Sequence, residues 1–181
     1  MPTPFQPPES RGQGFADSGA PAARRSEITF LGTLGLVPFV VGAIVVWAAT
    51  PVTGTQQPSL VAQSMVLTYG GVIAAYMAGM GAGGLLFGPQ TSREPMILGM
   101  VATLTAWLAV WTNLPFGIEI PLAWRHGLVL LVLVYILLRD LRAIEFGNMP
   151  SWYGGLRIFL TSVAGVSIFA VMIWLIANSQ Y

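Results

Sequence analysis

The single histidine of the chain, His126, is the residue type best suited to chemistry in this sequence. Its imidazole can exchange a proton near neutral pH, so it could contact a quinone headgroup or a haem. Arg125 and Trp124 precede it and Glu119 lies upstream, which also fits the interfacial end of a helix whose arginine meets lipid phosphate and Glu119. We favour the interfacial interpretation and keep His126 as a candidate cofactor contact.

The sequence lacks the other combinations of residues that commonly form catalytic or metal sites. It contains no cysteine and one histidine, which excludes disulfides, thiolate catalysis, iron–sulfur clusters, cysteine zinc sites and multi-histidine metal centres. We find neither an H-E-x-x-H motif nor paired carboxylates within an apolar run. The net charge of +1 gives no basic surface for nucleic acid. We therefore expect no catalytic residues, no metal and no cofactor, and a protein that is not an enzyme.

A possible ion pair joins two apolar runs near the C-terminus. Arg139, Asp140 and Arg142 follow the fourth run, and Arg157 lies at the start of the fifth. A bond between Asp140 and Arg157 would fasten the fourth helix to the fifth across the loop. We interpret this pair as a structural clasp.

The amino-acid composition indicates the class of protein in which these residues lie. Of 181 residues, 55% are hydrophobic and 8% are charged, against about 25% charged in an ordinary soluble domain. So few charges cannot solvate a water-soluble domain of this size. The sequence therefore predicts an all-α integral membrane protein whose partners include membrane lipids.

Five apolar runs are near the length of about 20 residues that a membrane-spanning helix needs. Residues 1–28 are rich in proline and glycine and predict a disordered cytosolic tail. Residues 29–181 then form one domain, a bundle of five helices. The predicted spans are 30–49, 60–87, 96–112, 121–138 and 156–177.

The arginines predict the orientation of this bundle. With five spans, Arg125 alone falls on one side and the other seven arginines fall on the opposite side. Most tryptophans fall near the ends on the side of Arg125, as expected for headgroup depth. We expect the N-terminus inside and the C-terminus outside, in a bacterial inner membrane or a mitochondrial inner membrane.

The second run carries small residues at every fourth position: Gly71, Ala75, Gly79 and Gly83. It also matches G-x-G-x-x-G, but that dinucleotide fingerprint needs a strand-to-helix turn, which an apolar membrane segment does not offer. Small side chains on one helix face let a neighbouring backbone approach closely. We expect this face to pack inside the bundle, with packing against a second protein, a kink or a groove for a flat cofactor as alternatives.

The loop before the fifth run has the most distinctive pattern, PSWYGGLRIFLT at 150–161. Proline and serine suit a helix start, and Trp152 and Tyr153 suit the headgroup depth of a membrane. Arg157 lies one turn further on, within reach of lipid phosphate or of Asp140. These four residues, Asp140, Trp152, Tyr153 and Arg157, form the predicted interfacial anchor.

This loop resembles an uncharacterised bacterial and mitochondrial family that includes transmembrane protein 69. The pattern P-x-W-Y-x-x-L-R-x-x-L-T carries the likeness, together with GLVPF at 35–39, YGGVI at 69–73 and AWL at 106–108. The resemblance implies about five membrane spans and no settled activity. The family's second helix usually contains Gly-Gly-x-His-Trp-Gly, where this chain has GMGAG at 79–83.

Two functions fit these patterns. The first, which we favour from the sequence, is a non-enzymatic accessory or assembly subunit of a larger inner-membrane complex, respiratory or photosynthetic, with other membrane subunits docking on the small-residue face. The second is a binder or carrier of a hydrophobic ligand such as a quinone, haem or lipid, which would use the glycine-rich groove and His126.

Overall fold

The computed structural model describes residues 22–49, 58–87, 94–111, 119–147 and 149–178. Every regular element in these ranges is an α-helix, which confirms the predicted all-α class for the described part of the chain. The helices are α1 (Ala22–Leu34), α2 (Val37–Ala48), α3 (Pro58–Phe87), α4 (Glu94–Val110), α5 (Leu122–Glu145) and α6 (Ser151–Asn178).

The helices have the character of membrane segments. Three helical stretches are long and apolar enough to cross a bilayer, and a shorter apolar helix covers Met96–Val110. The three are Arg25–Ala48, Pro58–Gly81 and Ser151–Asn178. Large apolar side chains such as Leu131 and Val166 are exposed on the outside of the bundle. Because lipid is the solvent that suits such a surface, these helices indicate a membrane-embedded protein.

The first apolar run, predicted as one helix, is divided in two. α1 ends at Leu34, residues 35 and 36 form a turn, and α2 begins at Val37. Pro38 explains the break, because proline has no N–H to donate to the carbonyl of Leu34 and its ring collides with that carbonyl in a continuous helix.

The N-terminal boundary also differs from the prediction. The sequence predicts a disordered tail through residue 28, but α1 begins at Ala22. Alanine is the best helix former, and two alanines open this helix. Within it, the Thr29 hydroxyl donates to the carbonyl of Arg25 at 2.9 Å. The rest of the predicted tail, residues 1–21, lies outside the described residues.

Successive long helices run antiparallel, so the bundle has two ends. Arg125 at the start of α5 contacts the last residues of α4, whereas Asp140 near the end of α5 contacts Arg157 near the start of α6. We call the end that holds Arg139, Asp140 and Arg157 the charged end, and the end that holds Arg125 and His126 the opposite end. Between the two ends, α2 packs closely against α3 at Gly42, where a Cβ atom would collide with Val66.

α5 and α6 extend beyond the predicted spans toward the charged end. α5 continues to Glu145, past the predicted end of the fourth span at residue 138. α6 begins at Ser151, where the proline and serine of the loop suit a helix start, five residues before the predicted fifth span. Gly147 terminates the first of these helices with a φ of 74°, a backbone conformation that favours glycine. Arg139 and Asp140 therefore project from a helix with fixed directions and do not belong to a loop.

Candidate functional site

Asp140 is the centre of a buried ion cluster. Its carboxylate accepts from Arg157 Nε on Oδ2 at 2.7 Å, and from Arg139 Nη2 on Oδ1 at 3.1 Å. Asp140 is 4% exposed and Arg157 is 3% exposed. The bond expected from the sequence between α5 and α6 is therefore present. A second arginine completes the cluster, and no sequence pattern had assigned it to this carboxylate.

Arg139 also ties the cluster to α3. Its terminal nitrogens donate to the carbonyls of Met77 at 3.2 Å and Ala78 at 3.4 Å. Gly81 leaves the space for this guanidinium, because a Cβ atom at that position would collide with it. Each of the three nitrogens of Arg139 donates to an acceptor within the chain.

Arg157 is bound less completely. Its Nε donates to Asp140, but within the described part of the chain its two terminal nitrogens have no acceptor. The side chain lines a cavity next to the cluster. Since two arginines share one aspartate, the cluster has one more formal positive charge than negative charge.

The cavity beside this cluster has a volume of about 690 Å³. It lies between α1, α2, α3, α5 and α6, and its walls are mostly apolar or aromatic. Among its described lining residues, Asp140 and Arg157 carry the charges. The apolar and aromatic part of the wall includes Leu36, Phe39, Tyr69, Leu133, Trp152 and Ala164. Such a space fits a molecule with one polar end and an apolar body.

Tyr69 connects the wall of the cavity to the break in the first apolar run. Its hydroxyl donates to the carbonyl of Gly35 at 3.0 Å. Its ring packs edge-on against Phe39 with centroids 5.1 Å apart. α3 is thereby fastened to the turn between α1 and α2, which positions both sides of the cavity wall.

The four predicted anchor residues all line this cavity. Trp152 and Tyr153 contact each other edge-on at 5.9 Å, and both line the cavity. The guanidinium of Arg25 lies 5.6 Å from the Trp152 ring centre, within the range of a cation–π contact. The indole N–H of Trp152 is buried and has no acceptor within the described residues.

His126 lies elsewhere, in the core at the opposite end. It is fully buried, and its Nδ1 is 2.9 Å from the carbonyl of Leu122. Its Nε2 and both amide atoms of Gln63 are buried without partners in the described part of the chain. His126 is not among the residues that line the 690 Å³ cavity, and its side chain is buried within the first two turns of α5.

Arg125 also differs from the prediction. It donates to the carbonyls of Ala109 at 2.7 Å and Val110 at 2.6 Å, the last residues of α4. A cation at a helix C-terminus satisfies free carbonyls and opposes the negative end of the helix dipole. The predicted bond to Glu119 is replaced by this cap. The reason is that α4 ends directly beside the start of α5.

The four small residues predicted to form one packing face divide between the inside and the outside. Gly71 packs against α4, where a Cβ atom would collide with Val110. Ala75 is half-buried, and Gly83 lies within α3. Gly79 is exposed, and a Cβ atom added to it would meet no other atom within 4 Å. The prediction of packing inside the bundle is therefore wrong for Gly79.

Comparison with known proteins identifies the family. Residues 24–173 match the family described as "Protein of unknown function (DUF3429)". The chain belongs to this family. No curated protein and no solved structure matches. The matched segment contains α2 to α5 entirely, so it includes the charged cluster and the walls of the cavity.

Some members of the site carried little sequence signal. Gly81 stands in a glycine-rich run and is distinguished from Gly79 only by the guanidinium that it faces. Phe39 and Tyr69 look like ordinary membrane aromatics in the sequence. Arg139 was visible as a neighbour of Asp140, but its acceptors on α3 are about 60 residues away and depend on the tertiary fold. Among the described residues, no group of three potential metal ligands lies together.

Proposed function

We propose that this protein binds a small hydrophobic ligand within the membrane, in the cavity at the charged end. The observation that carries the proposal is an apolar cavity of about 690 Å³ with a buried, incompletely bonded arginine in its wall. Ligand pockets in proteins commonly have volumes of about 300–1,000 Å³, mostly apolar walls and a few polar groups. A lipid or a quinone has the matching division into a polar end and an apolar body.

The same proposal includes an orientation. We infer that all five spans predicted from the sequence cross the membrane. The N-terminus would lie inside and the C-terminus outside, in a bacterial or mitochondrial inner membrane. The excess of arginines on one side supports this orientation. The loop pattern at 150–161 supports membership of the family that includes transmembrane protein 69. The ligand would then enter the cavity near the inner surface.

The test is native purification in mild detergent followed by mass spectrometry of bound small molecules. We expect a hydrophobic molecule in stoichiometric amount with the wild-type protein. Ala164→Phe places a ring in the cavity and should abolish this binding, because Ala164 is a buried lining residue. Val166→Phe is the matched control, since Val166 lies nearby on α6 and is 70% exposed.

The result that contradicts the proposal is equal retention of the molecule in both variants, or no retention in the wild type. Thermal unfolding of Ala164→Phe in the same detergent shows whether the variant is folded. A folded variant that has lost the molecule supports the proposed cavity.

A second function, docking to other subunits of an inner-membrane complex, respiratory or photosynthetic, is favoured by Gly79. This glycine is exposed on α3 with open space beside it, next to the exposed Met80. A helix of another protein can approach most closely where the side chain is missing. We propose this non-enzymatic accessory role as the alternative to ligand binding.

Gly79→Leu tests the alternative without disturbing the bundle. A Cβ atom at this position meets no other atom of the chain within 4 Å, so the leucine should not collide with the rest of the bundle. It should change only the contacts that this surface of α3 makes with other proteins. We expect the variant to lose co-migration with a larger complex in native electrophoresis if docking occurs there. Gly155→Leu is the control, because Gly155 on α6 is also exposed with open space beside it. Unchanged migration of Gly79→Leu would exclude docking at this glycine.

A further inference from the structure

We propose that the ligand of this cavity is an amphiphile with an anionic head, a carboxylate or a phosphate, and that Arg157 binds this head. The inference rests on the proposed ligand-binding function and specifies the chemistry of the ligand. It follows from the charge balance of the cluster, the free donors of Arg157 and the position of the arginine in the cavity wall.

The charge balance calls for one more negative group. Arg139 and Arg157 share Asp140, and no second acid lines the cavity among the described residues. The nearby Glu145 at the end of α5 is exposed. An unbalanced charge is costly in a low-dielectric interior, where buried charges are usually paired. An anion in the cavity would make the cluster neutral.

The free donors of Arg157 are suited to an anion. A guanidinium offers a planar fork that matches the two oxygens of a carboxylate or phosphate. Nε is occupied by Asp140 at 2.7 Å, which holds the side chain in place and leaves both terminal nitrogens without an acceptor in the described chain. The buried indole N–H of Trp152, another lining residue, also lacks an acceptor among the described residues.

Arg139 does not compete for this role. Its nitrogens donate to Asp140 and to the carbonyls of Met77 and Ala78. It supplies a positive charge, and each of its nitrogens already has an acceptor within the chain. A neutral ligand could accept from Arg157 but would leave the excess charge in place, and a cation would be repelled. The geometry therefore selects an anionic head, with the apolar tail against walls that include Phe39 and Leu133.

The experiment compares two probes of equal chain length, palmitic acid and hexadecanol. Binding to the full-length protein is measured at pH 8 in micelles of dodecyl maltoside, an uncharged detergent with neither a phosphate nor a carboxylate to compete for an anion site. We expect the acid to bind about tenfold to a hundredfold more tightly than the alcohol, the range for an added charged hydrogen bond. Both measurements use wild-type protein and do not depend on the folding of a variant.

Two variants assign the preference to Arg157. Arg157→Gln should bind the acid and the alcohol with equal affinity, because the charge that favours the acid has been removed. Asp140 keeps Arg139 as a partner in this variant, so it is not left alone. Arg157→Lys keeps the charge but loses the planar fork, and it should retain only part of the preference for the acid.

The outcomes separate the two proposals. Equal affinity for acid and alcohol in the wild type would overturn the anionic head and leave ligand binding in place. Failure of both probes to bind would overturn both. An unchanged preference in a folded Arg157→Gln would overturn the role of this arginine. Inorganic phosphate that displaces palmitic acid at equal concentration would assign the site to a free anion and overturn the amphiphile.

Discussion

The two ends of the bundle bury polar groups in different ways. At the charged end, Asp140 receives both arginines, and Arg157 retains free donors beside a cavity. At the opposite end, Gln63 and His126 hold three buried atoms without partners in the described chain, and neither residue lines that cavity. The ion cluster at the charged end lies next to open space, whereas Gln63 and His126 at the opposite end are buried in the core.

This difference shows which buried polar residues indicate function. His126 stands out in the sequence as the single histidine, yet it lies in the packed core. The aspartate and arginines suggest a clasp in the sequence, yet they form the polar wall of a cavity. In a membrane protein, a buried ionisable group next to a cavity is the stronger functional signal. Four substitutions test this contrast, and their expected effects decrease in order.

The largest effect is expected for Asp140→Ala. Removal of the carboxylate leaves two neighbouring arginines without their anion, and breaking a buried pair costs about 3–5 kcal/mol. We expect a loss of this size in the free energy of unfolding, measured by denaturant titration in detergent. Glu145→Ala, on the exposed end of the same helix, is the control and should be neutral. Equal stability of the two variants would show that the charged end is not held by this cluster.

A smaller effect is expected for Gly81→Ala. The added methyl group collides with the guanidinium of Arg139, and overpacking of this kind costs about 1–3 kcal/mol. The same titration should show this loss. Gly79→Ala is a close control, because it lies two positions away on the same helix with open space beside it. A similar result for both variants would mean that Arg139 moves freely.

Tyr69→Phe tests a neutral bond in the cavity wall. The variant keeps the ring contact with Phe39 and loses the hydrogen bond to Gly35. A bond of this type contributes about 0.5–1.5 kcal/mol. Tyr76→Phe should change nothing measurable in unfolding, since Tyr76 is 61% exposed. If the two variants lose equal stability, the bond between Tyr69 and the turn contributes little.

The smallest effect is expected for Gln63→Met at the opposite end. The amide has no partner in the described residues, so an apolar side chain of similar size should be neutral or should stabilise by up to about 1 kcal/mol. Thermal unfolding, with Ser64→Ala as the exposed neighbour control, measures this. A loss above about 2 kcal/mol would reveal a bound partner, such as a buried water between Gln63 and His126.

The sequence predicted the class and the approximate helices, because long apolar runs with few charges have one stable structure in lipid. The bond between Asp140 and Arg157 was also predictable, since opposite charges faced each other across a short loop. The break before Pro38 was missed because the apolar run continues through it, although the proline was visible. The fourth span was predicted to end before α5 does because the charges that begin at Arg139 were taken to mark its end.

The cavity and the division of the small-residue face were beyond the sequence for a physical reason. α3 is apolar on all sides, so no polar face distinguishes Gly71 inside the bundle from Gly79 outside it. In a water-soluble protein, a polar stripe along the exposed side of the helix would have shown which of its residues face outward. The cavity walls come from five helices, and their convergence depends on packing between residues far apart in the chain.

The bonds of Arg139 also bear on how the protein is made. An arginine in a helix centre costs about 2.5–3.5 kcal/mol to insert into lipid. The acceptors on α3 precede Arg139 in the chain, and its aspartate is the next residue. During synthesis, the acceptors of Arg139 are therefore all present once α5 has been made, before α6 delivers Arg157. Assembly of the charged end can proceed in chain order, with no stage at which a completed α5 lacks acceptors for this guanidinium.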